Sequence, residues 1–294
     1  MFCENEKKVL LRVLQSLKEQ KIISDDSKSS DYIMHTEKIV MNLAKKINID
    51  KFSENKDREI LEKTIVFSCL YMMNLTGCLN SISSNDRGYE KINDMFIQVV
   101  NQIKASIILE NNNLYSSQIL VNRNIFELLW LIIVLLTDSS LSDIYFDSSM
   151  SEYSKWKNHF TPSKLRKMVL EVFKSEKKST NDILNKAFKE KRKKYKELSA
   201  YAHNDYSTFK ENIYYNDIPI FLTDNKICSS DTEYLSDLVE ELISFFVAIE
   251  VTVMNRKKNT FVDVVPEMIY QTICRDYLLG YGLPECFKIS DKDD

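Results

Sequence analysis

Glycine and proline are scarce in this chain, which has only four of each among its 294 residues. These two residue types supply the unusual backbone angles of tight turns, loops and nucleotide-binding elbows. Their scarcity favours long helices joined by few connections, and fifteen Phe and fifteen Tyr residues provide bulky side chains to pack between them. We therefore expect an all-α fold, organised as a multi-helix bundle.

Apolar residues recur at helical spacing along most of the chain. This pattern predicts helices over residues 4–20, 32–47, 58–83, 89–109, 115–136, 153–159, 162–173, 182–203, 235–254 and 260–279. Residues 138–151 are predicted to be a polar connection. Near residues 212–222, β-branched and aromatic residues flank Asn216 and Asp217, which predicts one small β-hairpin.

Polar stretches predict how the chain divides into parts. Residues 24–30 and 48–57 are polar, so we expect residues 1–50 to form an N-terminal helical pair, attached as an appendage. Residues 56–280 would then form the main helical bundle, and the charged residues 281–294 a tail.

Several classes of protein are excluded by missing sequence motifs. The six cysteines show no C-x-x-C spacing, and none lies at a metal-ligand interval from a histidine. No glycine-rich phosphate loop is present. We therefore expect neither a cofactor nor a metal. The charged N-terminus is unlike a secretory signal, and the longest apolar run, residues 128–136, is too short to cross a membrane. These features predict a cytoplasmic protein with reduced thiols and no membrane association.

A charged pair occurs in the most hydrophobic predicted helix, where Arg123 and Glu127 stand at positions i and i+4. This spacing places both side chains on one face. In so apolar a setting each charge must be satisfied by the other or by neighbours, because an unpaired buried charge costs several kcal/mol. The pair either fixes the register of a helix or belongs to an active site.

A second group of polar residues follows at four-residue intervals: Tyr195, Ser199 and His203. A helix would align these side chains along one side, and the small residues between them would let the helix that bears Arg123 and Glu127 approach. An Arg, a Glu, a His and a Tyr in one pocket suffice for general acid–base chemistry with anion stabilisation. Alternatively, His203 caps the end of its helix.

These two motifs, R-x-x-x-E and Y-x-x-L-S-x-x-x-H, resemble those of a group of poorly characterised bacterial all-helical proteins. The group is similar to the HEPN superfamily, whose members include abortive-infection and toxin ribonucleases. The resemblance covers residues 60–210 and implies that Arg123, Glu127, Tyr195, Ser199 and His203 are the polar positions of the family. It further implies RNA cleavage across a homodimer.

The chain departs from the HEPN pattern at one position. HEPN ribonucleases carry an Arg before the His with four to six residues between them, and here the corresponding residues are Leu198, Glu197 and Lys196. Lys196 is the only basic residue among them, and it lacks the planar fork of an arginine. Either Lys196 or Arg123 substitutes for that arginine, or this branch is not a nuclease.

Positive charge is concentrated between Lys155 and Lys196, where fifteen basic residues face four acidic ones, a net charge of +11. Such a surface can bind nucleic acid through phosphate contacts. The densest run, which we expect to contact nucleic acid, consists of Lys191, Arg192, Lys193 and Lys194. Residues 211–250 carry a net charge of −8 and would neutralise this surface if they lay on it.

From the sequence we expect a HEPN-like bacterial defence or toxin protein that acts on RNA as a metal-independent endoribonuclease. His203 would be the acid and base, Arg123 or Lys196 would stabilise the phosphate, and Glu127 would orient one of them. The competing hypothesis is a non-catalytic interaction or sensor subunit. In either function we expect a homodimer or a protein partner.

Overall fold

The structure is a computed structural model of the 294-residue chain. It describes residues 2–21, 23–24, 26, 28–82, 87–112, 114–176, 193, 195–196, 199, 214–215, 218–219, 233–250 and 266–278. Predictions for residues that these ranges do not include, among them residues 281–294, lie outside the described part of the chain.

Helices account for nearly all of the described residues, which confirms the predicted all-α class. They are α1 (Glu4–Glu19), α2 (Ser29–Lys46), α3 (Lys56–Ile82), α4 (Arg87–Asn111), α5 (Tyr115–Thr137), α6 (Ser139–Phe146), α7 (Glu152–Lys155), a π-helix (Trp156–Phe160), α8 (Pro162–Glu176), α9 (Glu233–Ile249) and α10 (Pro266–Tyr277). Lys193, Tyr195, Lys196 and Ser199 are also helical.

The predicted hairpin near residues 212–222 remains a prediction. Two strands of two residues each, β1 (Tyr214–Tyr215) and β2 (Ile218–Pro219), pair antiparallel within this range. Pairs this short do not establish a hairpin, and the other residues of the range lie outside the described part of the chain.

A helix that the sequence analysis did not predict lies within residues 138–151, which were expected to be a polar connection. Helix α6 begins after Asp138, whose carboxylate accepts hydrogen bonds from the backbone N–H groups of Ser140 and Leu141. An aspartate at this position satisfies amide groups that have no partner within the helix. The Asp and Ser residues that indicated a loop are therefore the N-terminal cap of a helix.

The chain divides into two compact units, and the predicted parts, residues 1–50, 56–280 and 281–294, stay a prediction. Unit 1 consists of residues 1–100, 235–247 and 256–294, and unit 2 of residues 101–234 and 248–255. Helices α1 and α2 belong to unit 1, where α1 packs on α10 and α2 packs on α3. Polar stretches in the sequence do not reveal such contacts between distant helices.

Unit 1 contains a buried ion pair that joins α1 to α3. The Lys63 ammonium lies 3.0 Å from one carboxylate oxygen of Glu6, and both side chains are almost fully buried. The Tyr277 hydroxyl donates a 3.0 Å hydrogen bond to Glu6, and its ring stacks on Phe67 at a centroid distance of 3.7 Å. One carboxylate thus links three helices that are remote in sequence.

Unit 2 is built around α5, which packs against α6 and α8. Its apolar face is buried through Ile125, Leu129, Ile132 and Ile133. Polar and charged residues interrupt the first half of the same helix. Their contacts define the candidate site.

We predict that Lys63→Met lowers the free energy of unfolding by about 3–5 kcal/mol, because it leaves the Glu6 carboxylate buried without its cation. Chemical denaturation followed by circular dichroism measures the change. A matched control is Lys51→Met, since Lys51 pairs with Glu54 at the surface with both side chains more than three-quarters exposed. The control should change stability by less than about 0.5 kcal/mol. Equal effects of the two substitutions would contradict the role assigned to Lys63.

Candidate functional site

Polar side chains in the first half of α5 are each paired with a group on another segment or on the same helix. Gln118 donates a 3.1 Å hydrogen bond to Glu110 on α4. Asn122 accepts a 2.6 Å bond from the Ser106 hydroxyl and donates to the backbone carbonyl of Tyr234. Asn122 thus both accepts and donates a hydrogen bond, as its position in an apolar helix requires, whereas Oε1 of Gln118 is buried without a hydrogen-bond partner among the described residues.

Arg123 and Glu127 form the ion pair that their spacing predicts, with Nε of Arg123 3.0 Å from Oε1 of Glu127. The Tyr195 hydroxyl lies against both. It donates a 2.5 Å hydrogen bond to Glu127 and accepts a 3.3 Å bond from Nε of Arg123. We call these three residues the Tyr195 triad. It joins α5 to a segment 72 residues further along the chain.

Aromatic and cationic side chains surround the Tyr195 ring. Trp130, one turn beyond Glu127 on α5, packs against it at a centroid distance of 5.2 Å. The Arg123 guanidinium carbon lies 5.5 Å from the ring centroid, and that of Arg166, on α8, lies 5.9 Å away. Both distances fall within the range of cation–π attraction. Three segments of unit 2 therefore meet at this ring.

The triad is partly open to solvent. Tyr195 is 9% exposed, whereas the side chains of Arg123 and Glu127 are 22% and 27% exposed. The ring of the tyrosine is thus covered while the charged groups bound to its hydroxyl reach the surface.

The environment of the triad shifts two of its pKa values. Burial, and then the hydrogen bond to Glu127, raises the pKa of Tyr195 above the ordinary phenol range. For Arg123, burial acts to lower the pKa, but hydrogen bonds and charge interactions with Tyr195 and Glu127 outweigh it and raise the pKa. At neutral pH the triad therefore holds a neutral phenol beside a permanent guanidinium cation.

The remaining predicted site residues are distributed as follows. Ser199 is half-buried, and its hydroxyl donates to the backbone carbonyl of Tyr195. Lys196 and Lys193 are exposed. His203, Lys191, Arg192 and Lys194 lie outside the described residues, so their predicted roles stay predictions.

Sequence reasoning did not include Arg166 or Trp130 in the site. Trp130 carried a detectable signal, because it lies three residues after Glu127 and so shares its side of the helix. Arg166 carried none: it is one of many basic residues in its region, and only the packing of α8 on α5 brings it to Tyr195.

The part of the chain that the structure describes contains no group of three His, Cys, Asp or Glu side chains placed to hold a metal ion.

Among the same residues, one helical stretch, Ser117–Thr137, is long and apolar enough to cross a membrane. Most of it is buried inside the protein, as in the core helix of a globular domain, so length and composition alone do not assign it to a membrane. The expected absence of metal and membrane binding therefore stays a prediction.

No protein-family model matches the chain, and no curated protein or solved structure matches it significantly. The resemblance to HEPN proteins therefore depends on the motif residues alone.

We predict that Tyr195→Phe lowers the free energy of unfolding by about 1–2 kcal/mol at neutral pH, because it removes a hydrogen bond to a charged group and keeps the ring. This contribution requires the neutral phenol, whose pKa is raised in the folded state. It is complete below the unfolded phenol pKa of about 10 and is lost as pH rises through the folded value. Denaturant unfolding at about pH 7, 9 and 11 measures both the size of this contribution and its loss at high pH.

The exposed Tyr153 supplies the control, since Tyr153→Phe should change stability by less than about 0.5 kcal/mol. A stability difference between wild type and Tyr195→Phe that disappears already between pH 7 and 9 would contradict the assigned protonation state.

Proposed function

We propose that this chain is a HEPN-like protein of the bacterial defence or toxin type that cleaves RNA in the cytoplasm without a metal or cofactor. The observation that carries the proposal is the Tyr195 triad, in which a tyrosine hydroxyl binds both members of the Arg123–Glu127 pair while the charged groups stay partly exposed. These are motif residues that the resemblance implies.

Arg123 is suited to bind a phosphate group. Its hydrogen bonds to Glu127 and Tyr195 are made by Nε, and the guanidinium carries four further N–H donors on its two terminal nitrogens. Glu127 holds the guanidinium in place, which reduces the entropy lost when a phosphate binds. Lys196, exposed and adjacent to Tyr195 in sequence, is the second candidate for this role.

In the proposed reaction His203 accepts the proton of a ribose 2′-hydroxyl, whose oxygen attacks the adjacent phosphorus. The bond from phosphorus to the 5′-oxygen breaks, the leaving 5′-oxygen takes the proton back from the protonated His203, and a 2′,3′-cyclic phosphate remains. Arg123 or Lys196 stabilises the negative charge that develops on the phosphate oxygens. Each step uses groups of the chain and the RNA alone.

The proposed architecture keeps the predicted hairpin near residues 212–222, and a homodimer or a protein partner completes the assembly.

A second candidate function is a non-catalytic interaction or sensor subunit. The observation that favours it is the mutual satisfaction of the triad: Glu127 neutralises Arg123, and the covered Tyr195 ring packs on Trp130. A polar network of this kind can fix the position of one helix against another without chemistry.

Expression in bacterial cells separates these functions. We predict that the wild-type chain slows growth and fragments cellular RNA, and that His203→Ala and Arg123→Lys do neither at equal protein level. His35→Ala is the matched control, because His35 is an exposed residue of α2 in unit 1 and should leave toxicity unchanged. Growth curves and electrophoresis of total RNA give the result. Wild type and His203→Ala that are equally harmless would remove the ribonuclease function.

A further inference from the structure

Two large aromatic side chains of unit 2 project into solvent. Tyr153 on α7 is 68% exposed, and Trp156, the first residue of the π-helix, is 50% exposed. Their rings face each other at a centroid distance of 6.2 Å with an interplanar angle of 30°. Exposed tryptophan and tyrosine in contact form an apolar surface with a π face, which a monomeric protein usually buries.

Three lysines lie on the aromatic segment or on the helix that follows it. The Lys157 ammonium lies 5.9 Å from the Tyr153 ring centroid. Lys164, on α8, donates hydrogen bonds of 3.0 and 2.6 Å to the backbone carbonyls of Lys157 and Asn158. Lys167 is exposed and, three residues after Lys164, shares its side of α8. We call Tyr153, Trp156, Lys157, Lys164 and Lys167 the aromatic–lysine patch.

The patch rests on a fixed support. Lys155, between the two aromatic residues in sequence, is buried and binds both the Tyr145 carbonyl at 3.0 Å and the Glu152 carboxylate at 2.8 Å. Phe160, at the end of the π-helix, is buried and packs edge-on against the Tyr145 ring at 5.2 Å. These contacts hold the inner side of the segment to α6, so the outer side presents Tyr153 and Trp156 in a defined orientation.

We propose that the aromatic–lysine patch binds single-stranded RNA, with bases stacked on Tyr153 and Trp156 and phosphates contacted by Lys157, Lys164 and Lys167. Stacking on aromatic rings together with cations that follow the backbone is how proteins bind single strands without sequence preference. Charge complementarity favours a polyanion: between residues 156 and 172 four basic residues face a single acidic one, Glu171.

Helix α8 links the patch to the Tyr195 triad. Lys164 is hydrogen-bonded to the π-helix, while Arg166 on another side of the same helix lies over the Tyr195 ring. The choice of RNA over DNA rests on the function proposed above. The patch would hold the strand next to the site at which it is cleaved.

The two tryptophans of the chain make a direct test possible. Trp130 is buried and Trp156 is exposed, so quenching of the accessible fluorescence on addition of RNA reports on Trp156. The experiment uses the full chain carrying His203→Ala, to prevent cleavage, and an oligouridine of about twelve nucleotides with the DNA oligonucleotide of the same length for comparison. Fluorescence anisotropy of labelled RNA gives the affinity.

We expect RNA to quench the fluorescence and the affinity to fall as salt is raised. Trp156→Ala and Tyr153→Ala should each weaken binding roughly fivefold to 150-fold, the effect of losing one base stack. Trp156→Phe should retain most of the affinity but abolish the quenching, since it keeps a ring and removes the fluorophore. Met34→Ala, at a comparably exposed apolar residue in unit 1, should change nothing.

One outcome is that Tyr153→Ala and Trp156→Ala leave the RNA affinity unchanged while keeping the melting temperature of the parent. That result would contradict RNA binding by the aromatic–lysine patch and would not affect the proposed ribonuclease function. Tighter binding to DNA than to RNA would overturn the RNA assignment. Binding that depends on the patch, in a chain that proves harmless in cells, would support the patch and reject cleavage. If the alanine variants instead convert a dimer into a monomer by light scattering and bind RNA like the parent, the patch is an interface between copies and the proposal fails.

Discussion

A charged side chain in an apolar helix has to be paired, and this constraint organises unit 2. Arg123 and Glu127 lie in α5, whose other residues are largely buried, and each stabilises the charge of the other. Because the Tyr195 hydroxyl binds both, Tyr195 is held against α5. Trp130 and Arg166 pack against the Tyr195 ring, so α8, which carries Arg166, also contacts this residue. The need to pair the charges of α5 thus determines where α5, α8 and the segment that carries Tyr195 meet.

How much of this was predictable depends on the distance in sequence between the interacting residues. The Arg123–Glu127 pair follows from i, i+4 spacing on one helix, and Tyr195 was selected by its helical alignment with Ser199 and His203. The approach of Arg166 to Tyr195, and the buried Glu6–Lys63 pair, join residues whose contact depends on tertiary packing. Helix α6 was missed for a different reason: Asp138 and the serines after it are common both in loops and at helix N-termini, and only the cap geometry distinguishes the two.

The same three contacts suit either a catalytic site or a structural network, and their exposure favours the first. A structural ion pair gains most when water is excluded and all donors are bound, as in the Glu6–Lys63 pair, where both side chains are nearly inaccessible. In the Tyr195 triad the side chains of Arg123 and Glu127 remain partly exposed, and the bonds of Arg123 to Glu127 and Tyr195 are both made by Nε. The Glu6–Lys63 pair is therefore closed to solvent, whereas the Arg123–Glu127 pair, which consists of motif residues, is partly open to it.

The measurement that tests the central claim most directly is the rate of RNA cleavage by the purified chain, compared with its stability, for Arg123→Lys. Lysine keeps the positive charge that Glu127 needs but lacks the planar fork that binds phosphate through two nitrogens. If Arg123 stabilises the transition state, the cleavage rate should fall by at least about a hundredfold. The free energy of unfolding should change by less than about 1 kcal/mol, since the pair is partly exposed. An unchanged cleavage rate, or a loss of activity that merely follows unfolding of the variant, would contradict the assignment of the triad as the functional site.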